Sequence, residues 1–139
     1  MTEITFSKIL SANDTGLTGG HQAGILVPKR NRELLAFFPA LDPRLENPDT
    51  WLDVTDENGQ PRRLRWVYYN KKLHGTGTRN EYRITYLTRY LLGARPGDAL
   101  VFSGVPGSGF YRIRIDCSAS TTEAGSPGVI ALSGWRRVH

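Results

Sequence analysis

Apolar and polar positions alternate in short runs along this 139-residue chain, and each run stops at Gly, Pro, Asn or Asp. Such a pattern predicts many short strands. "ITFSKIL" (4–10) alternates, and "AGILVP" (23–28) reads as a buried strand ended by Pro28. "TWLDVTD" (50–56), the turn "ENGQP" (57–61) and "RRLRWVYYN" (62–70) predict a hairpin. In "EYRITYL" (81–87), Tyr82, Ile84 and Tyr86 fall on one face, and Glu81, Arg83 and Thr85 on the other. "DALVFS" (98–103), "GFYRIRIDC" (109–117) and "GVIALSG" (128–134) complete the strands. Helical spacing occurs in "RNRELLAFFPAL" (30–41), where Leu34, Leu35, Phe37 and Phe38 form a stripe ended before Pro39. "TRYLL" (88–92), ended by Gly93, is a second helix candidate. The expected fold is mainly β: seven or eight strands with one or two short helices, closed or nearly closed into a barrel.

Length adds that residues 1–139 make a single domain, large enough for a core without a disulfide or metal staple. The one cysteine, Cys117, rules out an intrachain disulfide and fits a reducing compartment. No apolar run approaches the roughly 20 residues that span a bilayer, and "MTEITFSKIL" lacks a signal pattern. A cytoplasmic protein without membrane contact is expected.

The net charge of +5 is unevenly distributed. Residues 1–61 carry five basic and nine acidic side chains. Residues 62–95 carry nine basic side chains against Glu81 alone, a balance of +8. Arginine outnumbers lysine 14 to 4, and its planar fork suits phosphates and guanine edges. Two readings stay open: a polyanion partner, or a solvated strand face balanced in space by the acidic first half.

Catalytic patterns fail. His21, His74 and His139 with Cys117 give no zinc spacing. There is no G-x-S-x-G elbow and no GxxxxGK[ST] phosphate loop. Metal-dependent nucleases need clustered carboxylates near a lysine, and Lys8, Lys29, Lys71 and Lys72 all lack an acidic residue two positions earlier. The chain is therefore expected to carry no hydrolytic centre, metal or cofactor of its own.

Two glycine-rich segments carry the remaining chemistry. In "HGTGTRNEYRIT" (74–85) a glycine turn runs into Arg79, Glu81 and Arg83, which an extended strand aims the same way at steps of about 6–7 Å. Such a row can be a surface ion-pair ladder of little worth. It also matches the major-groove code, in which Arg grips guanine O6 and N7 while Glu accepts from cytosine N4. In "SANDTGLTGGHQAG" (11–24), Ser11, Asn13, Asp14, Thr15, His21 and Gln22 offer donors and acceptors beyond what a turn uses.

"SANDTGLTGGHQAGILVPK" together with "VYYNKKLHGTGTRNEYRIT" resembles the N-terminal effector-binding domain of EcoRII-type restriction endonucleases, over residues 7–87. "GARPGDALVF" and "FYRIRID" are similar to later strands of the wider B-three pseudobarrel class. The resemblance implies a B-three-like DNA-binding pseudobarrel whose two arms clamp a short C/G-rich duplex site with a central A·T pair through the major groove. Position by position it puts Lys8, Asn13, Asp14 and His21 on an N-arm, and Arg79, Glu81 and Arg83 on a C-arm. Ser11, Thr15, Gln22, Tyr69, Asn70, Lys71, Lys72, Thr78, Asn80 and Tyr82 complete the expected DNA-binding set. Gly77 and Tyr82 stand where the EcoRII pattern has lysines. The implied partners are double-stranded DNA and a nuclease domain in a prokaryotic parent enzyme, with Mg²⁺ needed only by that nuclease. A monomer is expected. A stand-alone B-three-like transcriptional regulator is the alternative reading, and an enzyme with an unrecognised site is a third.

Overall fold

A computed structural model describes residues 2–12, 14–15, 24–70, 80–117 and 134–138. These form strands β1 (Ile4–Ile9), β2 (Ile25–Val27), β3 (Asp49–Thr55), β4 (Pro61–Tyr69), β5 (Glu81–Thr85), β6 (Ala99–Gly104), β7 (Phe110–Asp116) and β8 (Trp135–Arg137). One helix, α1 (Arg32–Phe37), lies between β2 and β3. The strands make a single sheet in the order β2-β5-β4-β3-β7-β6-β1-β8. All neighbours are antiparallel except β3 and β7, which run parallel from Asp53↔Phe110 to Thr55↔Arg112.

The sheet curls into a half-barrel until its two edges meet. Trp135 of β8 donates its indole Nε1–H to the carbonyl of Leu26 in β2, at 2.9 Å. The inside is filled by aromatic rings. Phe38 sits among Phe37, Trp66, Phe102, Tyr111 and Trp135, with ring centroids 4.8–6.4 Å away. Helix α1 delivers the Phe37–Phe38 pair. Asn31 caps its start by accepting from the Leu34 N–H. Pro39 ends it, because the residue before a proline is pushed out of helical geometry, and Phe38 is extended at φ −95°, ψ 159°. The predicted helix over 30–41 is therefore trimmed at both ends. Phe37 O is held in turn by the Tyr111 hydroxyl and the Gly107 N–H.

The strand pattern holds with three changes. "TRYLL" is a run of linked turns rather than a helix: Leu91 N–H reaches Leu87 O, but Leu92 and Ala94 turn back to residues three earlier. One α-type bond there is not propagated, while Leu87, Tyr90 and Leu91 bury their side chains. The alternation of 81–87 breaks at Tyr86, which lies at φ +69° and is 64% exposed against the Trp51 ring. The last described strand is Trp135–Arg137, and all of "GVIALSG" except Gly134 lies outside the described residues.

The β3–β4 hairpin turns at Asp56. Its carboxylate accepts from the Asn58 and Gln60 N–H groups and from Arg62 Nε. The Arg62 bond first, then the Gln60 N–H, hold this carboxyl below its ordinary value of 3.8. A depressed folded-state pKa gives stability that is complete above the ordinary value and is lost as pH falls through the lowered one. Acid unfolding of Asp56→Asn should therefore show a flatter limb below pH 3.8 than wild type. For the edge closure, Trp135→Phe strands the Leu26 acceptor and should lower unfolding free energy by at least about 1 kcal/mol. Hydrogen exchange should accelerate in both β2 and β8. Acceleration in β8 alone would show that the bond does not hold the edges together.

Candidate nucleic-acid interface

The topology brings the two glycine-rich segments to one place. Residues 10–24 leave β1 near one sheet edge and enter β2, the other edge. Residues 70–80 connect β4 to β5, and β5 is the strand on which β2 pairs, with Leu26 opposite Arg83. Both segments therefore emerge around the β2-β5-β4 end of the sheet. Asn13, His21, Gln22, Lys71, Lys72, Thr78 and Arg79 lie outside the described residues. The remaining predicted residues sit at the roots of the segments.

At the first root, Lys8 and Asp14 form a buried ion pair, Nζ to Oδ2 3.0 Å, each side chain only 9% exposed. Lys8 Nζ also donates to Ile9 O, and Asp14 Oδ2 accepts from the Ser11 N–H. Ser11 Oγ returns the favour to the Asp14 N–H, and Thr15 Oγ1 donates to Ser11 O and Ala12 O. The segment's far end is fixed at Gly24, at φ +90°, where an added Cβ would lie 2.2 Å from Ile84 O. Only glycine fits there.

The second segment is held in the same manner. Asn70 and Asn47 exchange backbone N–H and side-chain oxygen, at 2.8 and 3.0 Å, and Asn70 Nδ2 reaches Pro43 O and Leu45 O. Asn47 adopts φ +44°, a conformation asparagine tolerates better than most residues. At the other end, Asn80 Oδ1 accepts from Lys29 Nζ and from the Tyr68 hydroxyl. Tyr82 stacks on Tyr68 at 4.4 Å and on Trp66 at 5.2 Å. Burial first, then the neighbouring Tyr68, raise the Tyr82 hydroxyl pKa. Tyr69 accepts a long 3.5 Å bond from Arg65. Glu81 Oε2 receives Nε and Nη2 of Arg83, each at 3.0 Å, while Arg83 Nη1 donates to Gly24 O.

The structure divides the +8 stretch. Arg62, Arg63 and Arg65 of β4 pair with Asp56, Asp53 and Asp49 across the hairpin. For these three the balanced-face reading holds, because register places the acidic β3 opposite them. The roles of Asn47 and Lys29 were invisible in the sequence, where each is an ordinary loop residue. Elsewhere, a groove of about 730 Å³ opens at the far end of β4, beside Phe110 and Val105. Its carboxylates, Asp53 and Glu3, are engaged by Arg63 and Arg112. Among the described residues no group of three His, Cys, Asp or Glu side chains could hold a metal, and no helix is long and apolar enough to cross a membrane.

An eight-stranded half-barrel with two braced inter-strand segments defines a fold class already seen in the N-terminal domain of Helicobacter pylori LlaJI.R1. That structure superposes at a TM-score of 0.58 over 99% of this chain and 98% of its own, at 14% identity. The family model described as "Restriction endonuclease EcoRII, N-terminal" matches residues 2–93, and the chain belongs to that family. The type II restriction enzyme EcoRII of Escherichia coli is 43% identical over 85 residues, 59% of this chain. The match spans only 20% of the length of that relative.

Breaking one partner of the buried pair strands the other charge, so Asp14→Ala or Lys8→Ala should each cost about 3–5 kcal/mol in urea unfolding. The double variant Lys8→Met/Asp14→Leu should cost clearly less than either. Equal losses in all three would mean that the pair does not act as a unit.

Proposed function

We propose that this chain is the sequence-specific, double-stranded-DNA recognition domain of a restriction endonuclease, binding an effector copy of the site and leaving cleavage to a separate nuclease domain. The carrying observation is the family match over residues 2–93, which takes in both glycine-rich segments. The braced roots support the reading, since base readout needs side chains held in fixed register on the duplex. Residues 11–24 act as one arm and 70–83 as the other. Asn13, His21, Gln22 and Arg79 read base edges, Lys71, Lys72 and Thr78 grip phosphates, and Lys8, Asp14, Asn70 and Asn80 position the arms. The setting is the bacterial cytoplasm, and the domain acts as a monomer.

Selection from a random duplex library tests the proposal, and one short site should emerge. Affinity should fall with salt at a log–log slope of about −4 to −7, for roughly 4–8 phosphate contacts. Arg79→Ala should weaken the selected site by ~1–3 kcal/mol, whereas Lys71→Ala and Lys72→Ala weaken all duplexes alike. Plasmid incubated with the pure chain and Mg²⁺ should stay intact. No enriched site, or a flat salt response, would refute the proposal, and cleavage lost on mutating the chain would refute the division of labour.

A further inference from the structure

Arg83 is placed where the two segments meet. Its guanidinium donates twice to Glu81, the first residue of β5 after residues 70–80, and once to Gly24 O, immediately before β2 at the end of residues 10–24. Arg83 and Gly24 are 59 residues apart in sequence. Neither Arg83 nor Glu81 is an open surface charge, with side chains 19% and 25% exposed. Gly24 cannot move aside easily, being wedged against Ile84 O at a backbone angle only glycine accepts readily. A planar fork can join a carboxylate and a carbonyl at once, which an ammonium's point charge does poorly.

We infer that Arg83 is a positioning residue that fixes the spacing of the two arms, with Glu81 as its anchor, and does not itself read a base. This rests on the DNA-recognition reading above and adds how the two arms are kept in register. Sequence spacing alone treats Arg79, Glu81 and Arg83 as equivalent readers. The described geometry separates Arg83 and Glu81 as a clasp, already committed within the protein.

The experiment compares the wild-type chain, Arg83→Lys and Glu81→Gln against every single-base variant of the site that wild type selects. Arg83→Lys keeps the charge, so affinity for unrelated duplexes should stay within about twofold. Affinity for the selected site should fall tenfold or more, with discrimination reduced at base pairs in both halves of the site. Glu81→Gln should give the same two-sided pattern, weaker. Loss confined to one base pair would make Arg83 a base reader and overturn the inference, as would a wild-type profile in both variants. Hydrogen exchange without DNA gives a second readout. Arg83→Lys should speed exchange about tenfold at Ile25–Val27, and unchanged exchange overturns the clasp. Should wild type select no site, the DNA-recognition proposal fails, and exchange alone then decides whether Arg83 clasps the segments.

Discussion

The hydrogen bond from the Trp135 indole to the Leu26 carbonyl is the constraint on which the remainder of the structure depends. An open eight-stranded sheet would leave β2 and β8 far apart, and residues 10–24 would have to bridge that gap. Closure brings the end of β1 beside the start of β2. It also encloses the ring cluster around Phe38, burying Trp135 itself to 1% exposure. Core and closure support each other: the rings make the curl favourable by removing apolar surface from water, and the indole N–H satisfies a carbonyl of a strand with a neighbour on one side only.

The segments inherit their positions from this geometry, and short polar contacts then fix their roots. Each root uses a different chemistry: a buried ion pair at Lys8–Asp14, reciprocal amides at Asn47–Asn70, and a carboxamide shared by Lys29 and Tyr68. Buried polar groups of this kind are satisfied or costly. Satisfied, they hold a backbone in one place without adding bulk between the segments.

The sequence made the strands legible because β-branched and aromatic residues alternate so regularly, and it made α1 legible through Asn31 and Pro39. It misplaced Tyr86, because alternation alone does not reveal where a chain leaves its strand; a tyrosine at φ +69° costs about 1–2 kcal/mol and no local rule anticipates it. "TRYLL" has helical spacing but too few residues to propagate past one bond. For the site, the residue types were legible and the partners were not. Lys8, Asp14 and Asn70 look in sequence like free hydrogen-bonding groups. Their partners lie across the fold or in loops such as 43–47, and only register and closure bring them together.

The pairing of Arg62, Arg63 and Arg65 with the carboxylates of β3 also shapes how the molecule looks from a distance. A cation held about 3 Å from an anion presents a dipole, whose potential decays with the square of distance rather than its first power. Beyond the roughly 8 Å screening length of physiological salt, that hairpin face is close to neutral. Long-range attraction toward a polyanion then falls to basic side chains elsewhere in the chain, so an approaching molecule is drawn off-centre and turned before it touches. The acidic first half thus acts as a mask, narrowing a broad positive stretch of sequence into a directional field.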